Sequence, residues 1–267
     1  MKRNLISLFL LLAVAIPSLA DAVYKPTINA RAAVLIESKT GKVLYQKNSL
    51  ALMEPASTTK IMTAVLGIEK GKLTETVYVS AKAASREGTS MHLQKNDKLT
   101  LRDLLYGLLL VSGNDAATAI AEHIGGTEEN FAALMTAKAR TLGMKYTQFK
   151  NASGLPAYGH YTTAYDMALL ARYAMQNPVF ARIVGTKKTI IANDESPETF
   201  KLVNHNKLLW LYPYTTGIKT GYTIRAGGCL VASATRRDTT LIAVVMKSGS
   251  IYKDSQKLFN FGFNLKG

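Results

Sequence analysis

The chain has one cysteine, Cys229, among its 267 residues. It can form neither an intrachain disulfide nor a cysteine metal cluster. Cys229 lies in the apolar run Gly228-Cys229-Leu230-Val231 and reads as a small core residue rather than a reactive thiol. Histidine is also sparse. His92, His123, His160 and His205 are far apart, and none has the His-Glu-x-x-His spacing that sets two ligands on one helix face. No cysteine- or histidine-based metal site is therefore expected. A Gly-x-Ser-x-Gly elbow is missing too, which removes the usual Ser-His-Asp hydrolase turn. Acidic residues are few: 18 Asp+Glu stand against 33 Lys+Arg, for a formal net charge of +15. The basic residues are scattered, without a Lys/Arg-rich run or interleaved aromatics, so nucleic acid is not the expected partner. In an exported protein the same excess suits anionic envelope polymers or substrates that end in a carboxylate.

Long apolar runs are limited to one. Met1-Lys2-Arg3 precedes the apolar stretch Leu5 to Ile16, and Ser18-Leu19-Ala20 and Ala20-Asp21-Ala22 follow as small-x-small sites. A basic start, a short apolar core and such a site predict a signal peptide over residues 1–22. The run is short of the roughly 20 residues a spanning helix needs. The expected location is periplasmic, cell-wall associated or extracellular. Residues 23–267 suit one catalytic domain, and 48% hydrophobic residues are ample for its core. The sequence stops at Gly267 just after a last amphipathic segment. That leads us to expect no C-terminal β-rich domain, no membrane anchor and a monomer.

The pattern places strands at both ends and helices between. Ala32 to Glu37 and Lys42 to Gln46 read as strands of a hairpin turning at Ser38-Lys39-Thr40-Gly41. Thr58 to Glu69 is helical, with Pro55 just ahead of it. Leu101 to Leu110, Ala116 to His123 and Asn130 to Thr141 carry apolar residues at helical spacing. Thr163-Ala164-Tyr165-Asp166 resembles a capping box ahead of Met167 to Met175. Beyond residue 185 the chain turns to strand, and Arg225 to Thr235 and Thr239 to Met246 flank a second hairpin turn at Arg236-Arg237-Asp238. Tyr252 to Phe261 reads as a closing amphipathic helix. The expected fold class is α+β: one antiparallel sheet drawn from both chain ends, covered by helices, with a mainly helical lobe inserted.

Three short motifs occur in order: Ser57-Thr58-Thr59-Lys60, Ser112-Gly113-Asn114 and Lys219-Thr220-Gly221. Ser57 and Lys60, three apart, share one face of a helix. A serine hydroxyl needs a nearby base, and a lysine can serve once burial or a second cation lowers its pKa. At a helix start, Ser57 also puts backbone N–H groups where an oxyanion would form. Alone, the pair reads equally as a helix cap and a surface lysine. The second motif follows the apolar run Leu108 to Val111 and exposes a hydroxyl and an amide on a loop; alone, it is a helix–helix turn with Asn114 or Asp115 as the next cap. In the third, Lys219 offers a cation, Thr220 a hydroxyl and Gly221 room for a ligand beside the strand; alone, it is a strand end. A second copy, Lys39-Thr40-Gly41, serves the first hairpin.

The ordered set resembles the penicillin-interacting serine D,D-peptidases. The flanking residues Pro55-Ala56, Leu110-Val111 and Asp115-Ala116, Gly217-Ile218 and Tyr222-Thr223, with Gly154-Leu155-Pro156, Gly159 to Ala164 and Asn204 to Trp210, are similar to the low-molecular-mass D-alanyl-D-alanine carboxypeptidases from about Ala32 to Phe263. The resemblance implies that Ser57 attacks the D-Ala-D-Ala bond of a peptidoglycan stem peptide and Lys60 takes its proton. Ser112, near Lys219, would pass a proton to the departing D-alanine. Lys219 and Thr220 would hold the terminal carboxylate, and Asn114 would orient the peptide. Gly221 would let the substrate lie against the strand, and the N–H groups of Ser57 and Tyr222 would form the oxyanion hole. No metal or organic cofactor would be needed, and a β-lactam would acylate Ser57. Single-domain relatives also include D,D-endopeptidases, so cleavage of cross-links is the alternative. His205 stands where some relatives have an arginine and is expected to be structural.

A class A β-lactamase shares the three motifs but needs a glutamate between the second and third to activate the deacylating water. From Arg140 to Phe180 the only acid is Asp166, which the capping role accounts for. A non-catalytic wall-binding module would need neither Ser57 nor Lys60.

Overall fold

The computed structural model describes residues 24–192 and 199–266. The leader expected over residues 1–22 lies outside them. Strands β1 (Ala32–Glu37) and β2 (Val43–Lys47) form the first hairpin, and Gly41 at its turn has φ +76°. A 3-10 turn, Ala56–Thr59, leads into α1 (Lys60–Lys70). Next come β3 (Thr76–Tyr78), α2 (Ala81–Ala84), β4 (Lys98–Thr100), α3 (Leu101–Leu110), α4 (Asn114–Gly125) and α5 (Glu128–Thr141). After a long loop, α6 (Ala164–Ala174) and α7 (Pro178–Gly185) precede the hairpin β5 (Lys188–Ala192) and β6 (Thr199–Val203). The chain closes with α8 (Leu208–Leu211), β7 (Thr215–Thr223), β8 (Gly227–Arg236), β9 (Thr239–Met246) and α9 (Ile251–Asn264).

Both chain ends build the main sheet, antiparallel in the order β2-β1-β9-β8-β7. Because strand side chains alternate, Val34, Ile36, Val231, Ile242 and Val244 face the helical layer while Ala33, Leu35, Leu230, Leu241 and Val245 face α9. Burial on both faces explains why these strands read as continuous apolar runs. On the α9 side, Leu258, Phe259 and Phe263 are buried against the sheet, each worth roughly 1.5–3 kcal/mol. The other face shares one core with α1, α3, α4 and α6. There Cys229 is fully buried, and burial pushes its thiol up to about 11.

Local signals carry most helix starts. Thr100, Thr127 and Thr163 each accept the N–H three residues on as N-caps. The expected capping box at Thr163 is built on one side: its hydroxyl accepts the Asp166 N–H at 3.0 Å. The Asp166 carboxylate turns instead to the Tyr146 N–H at 2.8 Å and the Thr147 hydroxyl at 2.7 Å. Other expectations need adjustment. The helix expected from Thr58 starts at Lys60, because the chain first makes the 3-10 turn. The last helix runs farther at both ends than Tyr252 to Phe261. β8 starts at Gly227 because Arg225 and Ala226 form the turn after β7. The stretch beyond residue 185, expected as strand, also contains α8. Among the described residues no helix is long and apolar enough to cross a membrane.

Candidate active site

Ser57 lies in the 3-10 turn and Lys60 opens α1, so the turn itself puts both on one face. Lys60 Nζ donates to Ser57 Oγ at 3.0 Å. It also donates to Asn114 Oδ1 at 2.7 Å and to the Ser153 carbonyl at 2.7 Å. The Lys60 side chain is completely buried, and all three of these acceptors are neutral oxygens. Burial, first, and the Lys219 cation, second, hold its pKa well below the usual lysine range; Asp115 opposes them and Arg86 adds to them. Burial and the Lys219 cation both favour the neutral amine over the charged one.

The second motif is buried, not exposed as its composition predicts: Ser112 is 5% and Asn114 3% accessible. Ser112 takes φ +64° between α3 and α4, a left-handed conformation unusual for a residue with a side chain. Ala56, next to Ser57, does the same at φ +47°. Non-glycine residues in that region carry strain and concentrate at functional sites. Asn114 is engaged at both ends, since its Nδ2 donates to the Glu87 carbonyl at 2.7 Å. The Asn114 N–H donates to the Thr89 carbonyl at 2.7 Å, and the Thr89 hydroxyl donates to the Ser112 carbonyl at 2.8 Å. Asp115 anchors the adjoining loop through the N–H groups of Met91 and Leu93 and the Ser90 hydroxyl.

The third motif lies on β7 directly against the Ser57 turn. A Cβ on Gly221 would stand 2.9 Å from the Ser57 nitrogen and 3.0 Å from the Thr58 nitrogen. Glycine is required there by closeness, not by backbone angle. Lys219 is buried, its Nζ donates to the Thr220 carbonyl at 3.1 Å, and burial lowers its pKa to about 7. Thr220 is partly exposed, and the Tyr222 side chain is largely exposed. Two buried lysines from opposite elements thus lie close enough for the Lys219 charge to act on Lys60.

Several contributors escaped sequence reasoning. The Ser153 carbonyl comes from a loop fixed by Asn151, whose Oδ1 accepts the Gly154 N–H at 2.7 Å. Gly154, at φ +87°, lets that loop pass against the Ala56 carbonyl, where a Cβ would overlap it. His160 closes the loop on the turn: its Nε2 and the Thr59 hydroxyl are 3.0 Å apart, and its Nδ1 accepts the Lys150 N–H at 3.4 Å. That pattern fits the neutral ring, and burial, with Lys150 adding, lowers its pKa to about 4. His205 ties backbone to backbone, its N–H donating to the Leu110 carbonyl at 2.9 Å and its carbonyl accepting from the Tyr252 hydroxyl at 3.2 Å. The residue is exposed overall, yet partial desolvation, and then Lys219, lower the pKa of its ring. Backbone acceptors such as Ser153 carry no residue-type signal. Only Gly154 hinted at that close approach.

A serine and a buried lysine at the head of a helix, faced by a Lys-Thr-Gly strand on an antiparallel sheet, define the penicillin-binding class of fold. An evolved putative penicillin-binding protein homolog from Mycobacterium tuberculosis superposes with a TM-score of 0.86 at 32% identity, over 92% of this chain and 95% of that one. The Streptomyces K15 DD-transpeptidase gives 0.84 at 33% identity, over 90% of this chain and 99% of that one. Residues 20–250 match the Peptidase S11 family, D-alanyl-D-alanine carboxypeptidase, and the chain belongs to that family. It is 41% identical over 243 residues to the D-alanyl-D-alanine carboxypeptidase DacF of Bacillus subtilis, and 38% identical over 261 residues to DacC of Escherichia coli. The matches cover 88% and 91% of this chain but only 62% and 63% of those relatives. The D-alanyl-D-alanine carboxypeptidase of Streptomyces sp. strain K15 is 35% identical and covered over 91% of its length.

Proposed function

We propose that this protein is an exported, penicillin-sensitive serine D,D-peptidase that removes the terminal D-alanine of peptidoglycan stem peptides through an acyl-enzyme on Ser57. One observation carries the reading: a fully buried lysine, its pKa held well below the usual range by its surroundings, lies 3.0 Å from a serine hydroxyl. A helix cap with a surface lysine accounts for neither the burial nor the shared acceptors.

In this reading Ser57 Oγ attacks the carbonyl carbon of the penultimate D-alanine while Lys60 Nζ takes its proton. The oxyanion is received by the N–H groups of Ser57 and Tyr222, a role supported by the closeness of β7 to the Ser57 turn at Gly221. Lys219 and the Thr220 hydroxyl hold the terminal carboxylate by charge-assisted hydrogen bonds, each worth roughly 1.5–3 kcal/mol. The Ser112 hydroxyl, beside Lys219, passes a proton to the departing amine, and the C–N bond breaks. Asn114 orients the peptide and Gly221 keeps the strand close enough to serve both partners. Water then hydrolyses the Ser57 ester and releases the shortened peptide. Peptidoglycan stem peptides are the proposed substrate, and β-lactams the proposed covalent inhibitors.

Asp166, the single acid of the 140–180 stretch, is buried and bonded to Tyr146 and Thr147. That supports slow rather than rapid hydrolysis of a β-lactam adduct. The test is mass spectrometry of monomeric pentapeptide and cross-linked dimeric muropeptides after incubation with the protein. Loss of one alanine from the monomer is expected; splitting of dimers would assign the endopeptidase activity instead. Ser57→Ala should take up no penicillin, and undiminished labelling of that variant would overturn the nucleophile.

A further inference from the structure

Two loops supply the carbonyl groups that hold the amide and the amine of the site, and one buried carboxylate joins them. Glu128, at the first position of α5, is 5% exposed, and both its oxygens accept from Arg86 Nη2 at 2.9 Å. Its Oε1 also accepts the Ala152 N–H at 3.4 Å. Arg86 opens the loop whose Glu87 and Thr89 carbonyls accept from Asn114. Ala152 immediately precedes Ser153, whose carbonyl accepts from Lys60. Lys82 reaches the same carboxylate from the surface at 3.8 Å.

Accepting that Lys60 is the base for Ser57, we propose that Arg86 and Glu128 are positioning residues, whose partly buried ion pair clamps the 86–90 and 151–154 loops so that Asn114 Oδ1 and the Ser153 carbonyl stay on Lys60 Nζ. A neutral amine has two N–H bonds and one lone pair. When the amine is neutral and two carbonyl-type oxygens keep its N–H bonds, the Ser57 hydroxyl, an acceptor for the protonated amine, becomes the donor to its lone pair. If the 86–90 loop retreats, the Asn114 amide is free to turn its NH2 toward Lys60, and the lone pair loses its direction. A misplacement of about 1 Å at a reacting group is enough to cost on the order of 100-fold.

Charge adds a readout that packing alone does not have. Lys60 is faced by Lys219 from β7, Asp115 from α4 and Arg86 from the loop. Removing the Arg86 cation removes one influence that favours the neutral amine, so Lys60 holds its proton to higher pH.

The experiment is acylation of the full chain by a fluorescent penicillin as a function of pH, for the wild type, Arg86→Gln, Arg86→Lys and Glu128→Gln, with thermal melts alongside. Arg86→Gln is expected to slow acylation about tenfold or more and to move the acid limb up by roughly half to one pH unit. Arg86→Lys should return the limb to the wild-type position while the rate stays low. Glu128→Gln should slow acylation without an upward shift. Where Arg86→Gln does not fold, the other two variants carry the test. Rates within twofold of wild type, or an unmoved limb in a folded Arg86→Gln protein, would overturn the clamp. A wild-type chain that takes no penicillin would overturn the reading of Ser57 itself, whereas a labelled wild type with indifferent variants overturns the clamp alone.

Discussion

Burial acts on the titratable side chains of this molecule with opposite signs, and the sign decides what each group can do. It lowers the pKa of Lys60, Lys219 and His160 and raises that of Cys229, because in every case the charged form loses its water. The Cys229 thiol is held back from ionising, whereas Lys60 is pushed toward the neutral form that its proposed role as base requires. Lys219 sits at about 7, and in the proposed reaction it must be protonated to hold a carboxylate. For a substrate with a free C-terminal carboxylate, kcat/KM should therefore fall as pH rises through about 7. A bound anion favours the charged amine, so the corresponding limb in kcat should lie higher. Steady-state kinetics on a D-Ala-D-Ala peptide and its C-terminal amide checks this, since the amide should lose the limb in kcat/KM. The spacing of Ser57 and Lys60 is legible in the sequence. The depth at which Lys60 lies is not, because it depends on α4 and the 151–154 loop, which are remote along the chain.

Elements matter here chiefly through one close approach, that of β7 to the 3-10 turn. Gly221→Ala would force a methyl carbon to within 2.9 Å of the Ser57 nitrogen. The strand must then back away from the turn that carries the nucleophile, and penicillin acylation should drop about tenfold or more. Thermal melting should show that the variant remains folded. Long periodic segments announced themselves: the inner strands β1, β8 and β9 of the main sheet are apolar on both faces, and α1, α3 and α6 keep helical spacing over whole turns. The short pieces did not. β3, β4 and α8 are 3 to 4 residues long, too brief for a period to be counted. The burial of Ser112 and Asn114 was hidden for a different reason. A polar triplet after an apolar helix normally faces water, and here the 86–90 loop covers it, held by Thr89, Glu87 and Asp115.

At the scale of the whole molecule the site is a liability to the fold. Lys60 and Lys219 are among the largest fully buried side chains, and neither gains from being there while charged. Folded Lys219 titrates at about 7, against an ordinary value of 10.5. Between those values the unfolded chain binds more protons, so this residue makes stability rise with pH across that window. Below it, the full cost of burying the cation is present. Lys219→Met should therefore stabilise the protein at pH 6 by roughly 1–4 kcal/mol, and the gain should shrink as pH climbs toward 10.5. Urea unfolding of both proteins at two pH values measures it. Carboxylate binding would be lost in the same variant, the usual exchange between stability and activity.

The sheet drawn from both chain ends has a further consequence, in time rather than in space. Ala32 pairs with Met246, so β1, next to the edge strand β2, waits for the last hairpin before it gains its second neighbour, β9. A growing polypeptide that has emerged as far as residue 214 already holds Ser57, Lys60 and Asn114, yet β7 has not been made. Pairings this distant along the chain are slow to close. The Ser57 turn therefore meets Gly221 of β7 only after the C-terminal strands have been made, so the proposed site is assembled late and by the last part of the chain to emerge.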